Sequence, residues 1–208
     1  KSVDTSLHLF HRYLFQERSG FLTAHLGNEG TAVRNIFVTK PDQIGTQLGY
    51  NAYMPYAFAT DEVKYYQSKS PYSDIEYYLG AGGQTRLNFT FARNVDSLWN
   101  MGFEIQRQVS DKFLTDSKYK SGNQTLTEQW GVLFQTNFRT RNNRYRLLSH
   151  LNYFDQGIQD QGGLQLLNGL DPTTALNYTD NGALFATSGV QSNDSFIKFH
   201  FYHEFIGF

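Results

Sequence analysis

The chain has 208 residues, a formal net charge of −1 and no cysteine. Its 18 Lys and Arg residues are balanced by 19 Asp and Glu residues, which argues against a nucleic-acid partner, because a polyanion requires a basic face. The lack of cysteine excludes a disulfide and a thiolate metal site.

Aromatic residues are abundant in a chain that is polar on average. They make up 16% of the residues, whereas the mean hydropathy is −0.51. No stretch reaches the ~18 consecutive apolar residues of a transmembrane helix. The combination favours β-strands with one aromatic face and one wet face, in a barrel or in a sandwich.

Alternation of apolar and polar residues predicts long strands from residue 84 onward. Over Leu98–Gln108, apolar residues fall on one face and polar residues on the other, which is the period-two pattern of a half-buried strand. This strand pairs with Gln84–Asn94 as one predicted hairpin, and Gln129–Thr140 pairs with Arg144–Asp155 as a second. Ser195–Phe208 alternates in the same way.

The connections between these strands alternate between short and long. Asn94–Ser97 and Arg141–Asn143 are predicted to be tight turns, whereas Ser110–Gln124 and Gln156–Asp194 are predicted to be long polar loops. Outer-membrane barrels have short periplasmic turns and long extracellular loops, so the turns are expected in the periplasm and the loops outside the cell. Weaker strands are predicted over Phe21–Leu26, Val33–Thr39, Ile44–Tyr53, Val63–Ser70 and Ser73–Gly80.

The composition of the apolar face separates a membrane barrel from a soluble sandwich. A sandwich core interdigitates and mixes β-branched with small residues, whereas a lipid face has no packing partner and accepts repeated aromatic side chains. Phe, Trp, Leu and Tyr dominate here, which favours an antiparallel transmembrane β-barrel. The predicted lipid-facing residues are Phe89, Phe91, Trp99, Phe103, Trp130, Phe134, Tyr145, Leu151, Phe199 and Phe201. The predicted lumen-facing residues are Arg86, Glu104, Gln106, Gln135, Arg139, Arg146, His150, Lys198 and Glu204.

Short motifs follow one another in a characteristic order and spacing. They are Val3–Leu7, Phe10–Tyr13, Leu26–Gly30, Tyr65–Tyr66, Ser70–Ser73, Tyr77–Gly80, Trp99–Phe103 and Asn142–Tyr145. With these motifs, the stretch from Val3 to about Gly163 resembles the N-terminal part of the putative porin family of Bacteroidetes, whose members are outer-membrane β-barrels.

The resemblance implies that residues 1–208 form a single β-barrel domain or a fragment of one. Residues 1–20 are a candidate extended N-terminal segment. Because family members are longer, the resemblance implies part of a larger barrel. Alternatively, Phe208 at the end of an aromatic strand is typical of the C-terminus of a complete barrel. The predicted strands, roughly eight to ten, would close only a narrow barrel filled with side chains.

The residues predict no catalytic site, no cofactor and no metal, and therefore no enzyme. His200 and His203 would point to opposite faces of a strand, and their order does not match a protease zinc motif. Ser149 and His150 are adjacent and diverge in the same way.

Three functions stay open. The first is passive diffusion of small solutes through a barrel in the bacterial outer membrane, with outer-membrane lipid and other outer-membrane proteins as partners. The second is a structural or accessory barrel within a larger outer-membrane complex. The third is a secreted, soluble β-sandwich that binds carbohydrate. The direction in which the aromatic side chains face separates the third from the first two.

Overall fold

The computed structural model of the protein describes residues 14–18, 20, 22–37, 52–112, 125–160 and 190–206, and long antiparallel strands make up more than half of these residues. The strands of the main sheet are β3 (Tyr72–Leu79), β4 (Thr85–Asn94), β5 (Trp99–Asp111), β6 (Thr125–Arg139), β7 (Tyr145–Asp160) and β8 (Val190–Phe205). The prediction of an all-β, antiparallel fold is confirmed.

The first part of the described chain contains only short elements. Phe15–Arg18 form a single helical turn, α1. Strands β1 (Thr23–His25) and β2 (Val33–Asn35) form a small antiparallel ribbon. Met54–Tyr56 form one turn of 3₁₀-helix, with Pro55 in the first turn, where its missing N–H costs no hydrogen bond.

The six long strands pair in chain order, from β3 to β8. Each strand is antiparallel to the next. In the described part of the chain, β3 and β8 each have one edge without a partner strand, so the sheet is open there.

Two tight turns join the strands of the central hairpins, at the positions predicted. In the first, Asp96 Oδ1 accepts hydrogen bonds from the backbone N–H groups of Leu98 and Trp99. In the second, Asn143 has a φ of 55°, a left-handed conformation that asparagine tolerates well. Asn142 Oδ1 accepts from the N–H of Arg144 and fixes this turn. The end of the sheet that carries both turns is called the turn end below, and the opposite end is called the loop end.

The register of the sheet brings residues of one kind into rows across the strands. One row consists of Phe91, Phe103, Phe134, Leu151 and Phe199. The neighbouring row, which points to the other face, consists of Ala92, Gly102, Gln135, His150 and His200. Because side chains alternate along each strand, the middle of the sheet has one apolar and one polar face.

Four strands extend further at the loop end than the alternation predicted, and one of them is β5, which runs to Asp111. β6 begins at Thr125, β7 runs to Asp160, and β8 begins at Val190. Gln156–Asp160 and Val190–Asp194 were therefore wrongly assigned to a loop, since they are paired with each other in β7 and β8. Ser110 was likewise wrongly assigned to a loop, since it lies in β5. At this end the apolar face also carries polar residues, such as Glu128 and Asp155. The apolar alternation therefore stops there, although the backbone hydrogen bonds continue. Residues 113–124 and 161–189 of the two predicted loops lie outside the described residues.

The weaker strand predictions have mixed outcomes. Ser73–Gly80 corresponds to β3, and the two segments around β1 and β2 contain shorter strands than predicted. Val63–Ser70 is wrong as a strand, because these residues pair with no strand and cross the polar face of the sheet instead. In the segment Ile44–Tyr53, residues 44–51 lie outside the described residues, and Ala52 and Tyr53 are in a turn.

Candidate functional site

The two faces of the sheet carry the residues that the sequence assigned to them. All ten predicted lipid-facing residues lie on the apolar face, and all nine predicted lumen-facing residues lie on the polar face, as the strand register shows. The contact of these faces with lipid and with a lumen stays a prediction.

The apolar face is exposed in spite of its chemistry. Ile75, Phe199 and Phe201 are 58–66% exposed. In the middle of the sheet, Phe134 and Leu151 are 40% and 41% exposed. No second layer covers this face in the described residues, so these side chains contact only their neighbours in the sheet.

Aromatic residues mark both ends of this apolar face, which we call the apolar belt. Trp99 and Tyr145 lie at its turn end, and Trp130 lies at its loop end. At the loop end, Glu128 accepts a hydrogen bond of 2.8 Å from Arg107 and one of 3.3 Å from Trp130 Nε1. The guanidinium of Arg107 also lies 5.0 Å from the centre of the Trp130 ring. A belt with aromatic residues at both ends is typical of strands that cross a bilayer.

The polar face is buried in the middle of the sheet. Gln135, His150 and Asn152 are at most 2% exposed, and the same face also contains buried Ser110 and Thr127. Along the edge strand β8 the burial ends, and both of its faces are exposed except at Phe196, which is half-buried. Buried polar groups of this kind need hydrogen-bond partners. Gln135 Oε1, His150 Nε2 and Asn152 Oδ1 have no partner among the described residues, whereas an irregular part of the chain supplies partners for other polar atoms of this face.

That part, residues 22–37 and 52–68, is called the covering segment because it lies across the polar face. Its first contact is the turn between β1 and β2. The hydroxyls of Ser110 and Thr127 both donate to the Glu29 carbonyl, at 2.9 and 3.0 Å. Gln129 Nε2 donates to the Gly30 carbonyl at 2.9 Å. Side chains of the sheet thus donate the hydrogen bonds that these carbonyls would accept from a neighbouring strand in a regular sheet.

Gly30 fits this contact for two reasons. Its φ is 86°, which glycine adopts without steric cost. A Cβ at this position would lie 2.5 Å from Thr127 Oγ1 and 3.1 Å from Thr127 Cβ. Gly27, in the same turn, has a φ of 114° but open space around it. The glycines of the motif Leu26–Gly30 therefore form a tight turn, and Gly30 is the one that contacts the sheet.

The second contact is made by the residues around the 3₁₀ turn. Gln106 Nε2 donates to the Tyr56 carbonyl, and Asn152 Nδ2 donates to the Phe58 carbonyl at 2.8 Å. The Tyr65 hydroxyl lies 2.8 Å from His150 Nδ1. These contacts extend the covered area from β5 to β7.

A small apolar cluster holds the two parts of the covering segment together on the sheet. Val33, Tyr56 and Phe154 are buried in it, and Phe196 packs against it. The Tyr56 hydroxyl donates to the Thr31 carbonyl at 2.9 Å. Burial raises the pKa of Tyr56 well above its usual value, so the hydroxyl keeps the proton that this hydrogen bond needs.

Two cavities open on the polar face. One has a volume of about 520 Å³ and lies between Pro55–Lys64 and strands β4–β6. It is lined by charges of both signs, including Lys64, Arg86 and Glu104. The other has a volume of about 310 Å³ and lies at the turn end, where Arg139, Arg146 and Glu204 contribute to its lining.

The covering segment is the functional feature that the sequence predictions missed. One signal could have revealed it. Leu133, Phe154 and Ile158 are apolar residues at polar-face positions, and all three are buried. Apolar residues out of phase with the alternation predict that something packs on the otherwise polar face.

The described residues hold neither a cluster of metal-ligating side chains nor a membrane-spanning helix. These residues contain no group of three or more His, Asp or Glu side chains that could hold a metal ion. Among them there is also no helix long and apolar enough to span a membrane.

Comparison with known proteins gave one match. Neither the curated proteins nor the solved structures contain a match to this chain. A family model described as "Putative porin" matches residues 1–205. This match covers nearly all of the chain and agrees with the resemblance carried by its motifs. The chain therefore belongs to this porin family.

Proposed function

We propose that the chain forms part of the wall of an outer-membrane β-barrel through which small solutes diffuse. The observation that carries the proposal is the inverted burial of the sheet, with exposed aromatic side chains on one face and buried amides on the other. Exposed apolar area costs about 25 cal/mol per Å² in water. In hydrocarbon this cost disappears, so a lipid environment accounts for the apolar belt.

The length of the belt supports a bilayer. On β6 it extends from Trp130 to Phe138, which is about 26 Å at ~3.3 Å per residue. With the strand tilt of ~40° that is usual in such barrels, the belt would be about 20 Å tall, slightly less than the ~25 Å apolar band of known barrels. The belt and its aromatic ends thus fit an outer membrane.

The polar face would then line the lumen. It carries charges of both signs and amide side chains, which suit hydrated solutes. Membership in the porin family favours transport rather than catalysis. The larger cavity beside Lys64 and Glu104 is a candidate passage between the covering segment and the wall.

The alternative is an accessory barrel without a conducting pore. The covering segment favours it, because its contacts with Ser110, Gln129 and Asn152 occupy part of the space that a solute would need. A soluble sandwich has less support, because the described residues contain no second sheet over the apolar belt.

Conductance of the purified full-length protein in planar lipid bilayers tests the proposal. We expect discrete conductance steps from the wild-type protein. A variant in which the covering segment is loosened, Gly30→Ala, should conduct more. If both proteins insert into the bilayer and neither conducts, the accessory barrel is the better explanation. A monodisperse preparation in buffer without detergent would contradict both membrane proposals.

A further inference from the structure

The cavity at the turn end has the chemistry of an anion site. Arg139 and Arg146 are direct cross-strand partners on the polar face. Like charges in directly opposite positions destabilise a sheet. A pair of this kind therefore requires a negative charge or hydrogen-bond acceptors nearby to offset the repulsion.

The described residues offer the two arginines few partners of this kind. Glu204 is the cross-strand partner of Arg146 and also lines the cavity. No ion pair within 4 Å joins Glu204 to either arginine in the described structure. The Nε atom of Arg139 is buried, and none of the described residues accepts its hydrogen. The lining therefore has one positive charge in excess and a guanidinium donor that is shielded from bulk water.

The remaining polar lining adds amide groups. Asn94 Oδ1 accepts hydrogen bonds from Asn100 Nδ2 at 2.5 Å and from the Ser68 N–H at 3.3 Å. These two donors identify which atom of the Asn94 side-chain amide is the oxygen. The Nδ2 of Asn94 then has no partner in the described structure. Asn143 also lines the cavity, from the second turn. Amide and guanidinium donors around one cavity match the acceptor oxygens of a carboxylate or phosphate.

The charge around the cavity favours the same kind of ligand. The two turns and the adjoining strand ends, residues 93–100, 137–148 and 202–206, carry five arginines and only two carboxylates. The arginines are Arg93, Arg139, Arg141, Arg144 and Arg146, and the carboxylates are Asp96 and Glu204. An excess of one sign around a concave site raises the local concentration of counter-ions.

We propose that this cavity binds the carboxylate or phosphate group of a small anionic solute, with Arg139 and Arg146 as its main ligands. Arginine suits this role because its planar guanidinium binds such oxyanions through two parallel hydrogen bonds. A part for the site in solute passage rests on the proposed porin function, whereas binding itself does not.

Isothermal titration calorimetry on the full-length protein in detergent tests the binding, at about 0.1 M salt, where charges more than ~10 Å apart are largely screened. Succinate and inorganic phosphate serve as probes in separate titrations, so that the preferred oxyanion is identified. We expect saturable binding of at least one probe by the wild-type protein. Loss of a charge-assisted contact in Arg139→Gln or Arg146→Gln should weaken binding at least about tenfold.

Three further variants separate a site from a general charge effect. Arg93→Gln removes a charge at the same end of the sheet but on the apolar face, and it should change the affinity less than about twofold. Arg139→Lys keeps the charge but loses the planar donors, so intermediate weakening is expected. Asn143→Asp keeps a residue that tolerates its φ of 55°, and the new carboxylate should weaken binding.

The outcomes are distinguishable from those of the porin proposal. Binding that depends on Arg139 and Arg146 supports the site even if the protein does not conduct. No binding of either probe by correctly folded wild-type protein overturns the site, whatever the conductance. Equal loss of affinity in Arg93→Gln and Arg139→Gln also overturns it, because only the overall charge would then matter. Different migration of heated and unheated protein in gels serves as the check that each variant is folded.

Discussion

The apolar and polar faces of the six-stranded sheet differ in what their side chains contact. The apolar belt has neighbours only within the sheet, and its large side chains are exposed. The polar face is held by hydrogen bonds to the covering segment, such as those from Gln129 and Asn152. In a water-soluble protein the apolar face would be the one covered. The difference indicates that the two faces of this sheet meet different solvents, and substitutions on each face test that interpretation.

The largest effect is expected in the middle of the apolar belt. Phe134→Arg places a charge between Phe103 and Leu151. If this face meets hydrocarbon, the free energy of unfolding should fall by about 2–4 kcal/mol. Phe205→Arg, near the end of the belt at the turn end, is the matched control and should cost only about 0–1 kcal/mol. Chemical denaturation of both variants in lipid vesicles measures the difference.

A small cost for Phe134→Arg would break the comparison between the faces. Replacement of an exposed residue on a water-facing surface usually changes stability by less than about 0.5 kcal/mol. A value of that size for Phe134→Arg, which is 40% exposed in the wild type, would mean that the belt faces water.

The second effect is expected where the covering segment contacts the sheet. Gly30→Ala introduces a Cβ that collides with the Thr127 side chain, and such overpacking costs about 1–3 kcal/mol. Gly27→Ala imposes similar backbone strain, at a φ of 114°, but has no atom within 4 Å of its new Cβ. Limited proteolysis should therefore cut residues 22–68 faster in Gly30→Ala than in Gly27→Ala. Equal rates in the two variants would contradict the docked position of the turn.

A smaller effect is expected from a single hydrogen bond on the polar face. Tyr65→Phe removes the hydroxyl that lies 2.8 Å from His150 Nδ1. Loss of such a bond costs about 1 kcal/mol, measured as a lower midpoint of chemical unfolding. Tyr72→Phe is the control, because its hydroxyl makes only a long, exposed contact of 3.4 Å with Asp74. A larger loss in Tyr72→Phe than in Tyr65→Phe would show that this contact does not hold the segment.

The smallest effect is expected at the loop end of the belt. The ion pair between Arg107 and Glu128 is 2.8 Å long, and both side chains are 44% exposed. Arg107→Gln should cost about 0.2–1 kcal/mol, and high salt should reduce this cost by screening. Arg93→Gln has no ion pair in the described structure to lose and serves as the reference. If the loss of stability in Arg107→Gln does not change with salt, the contact of Arg107 with the Trp130 ring, rather than the ion pair, accounts for it.

Alternation predicted the faces of the sheet but not the ends of its strands. Side chains such as Phe103 and Phe134 fix the register, because a shift by one residue would move every aromatic ring to the other face. Beyond the belt, Gln156–Gln159 pair with Gln191–Asp194, and polar residues occur on both faces. Hydrophobic periodicity then gives no signal, although the backbone hydrogen bonds continue.

The residues that form the covering segment could not be identified from the sequence, because their own contacts leave no pattern there. Side chains of the sheet donate to its backbone carbonyls, as Gln106 does at Tyr56, and every residue type has such a carbonyl. Val63–Ser70 alternates like a strand, yet it crosses the sheet without joining it. The cross-strand pairing of Arg139 with Arg146 could not be predicted either. The alternation assigned both residues to the same face, but it did not give the strand register that places them opposite each other.

The positions of the two tryptophans allow both ends of the belt to be located by intrinsic fluorescence. Trp99 and Trp130 are the only indoles in the chain, and they lie at opposite ends of the belt on the neighbouring strands β5 and β6. Phenylalanine at either position would leave a single fluorophore near one leaflet. If the proposed membrane position is right, brominated lipids of graded depth would quench each variant separately. The two depths, measured from the bilayer centre, would then add up to the height of the belt without any attached label.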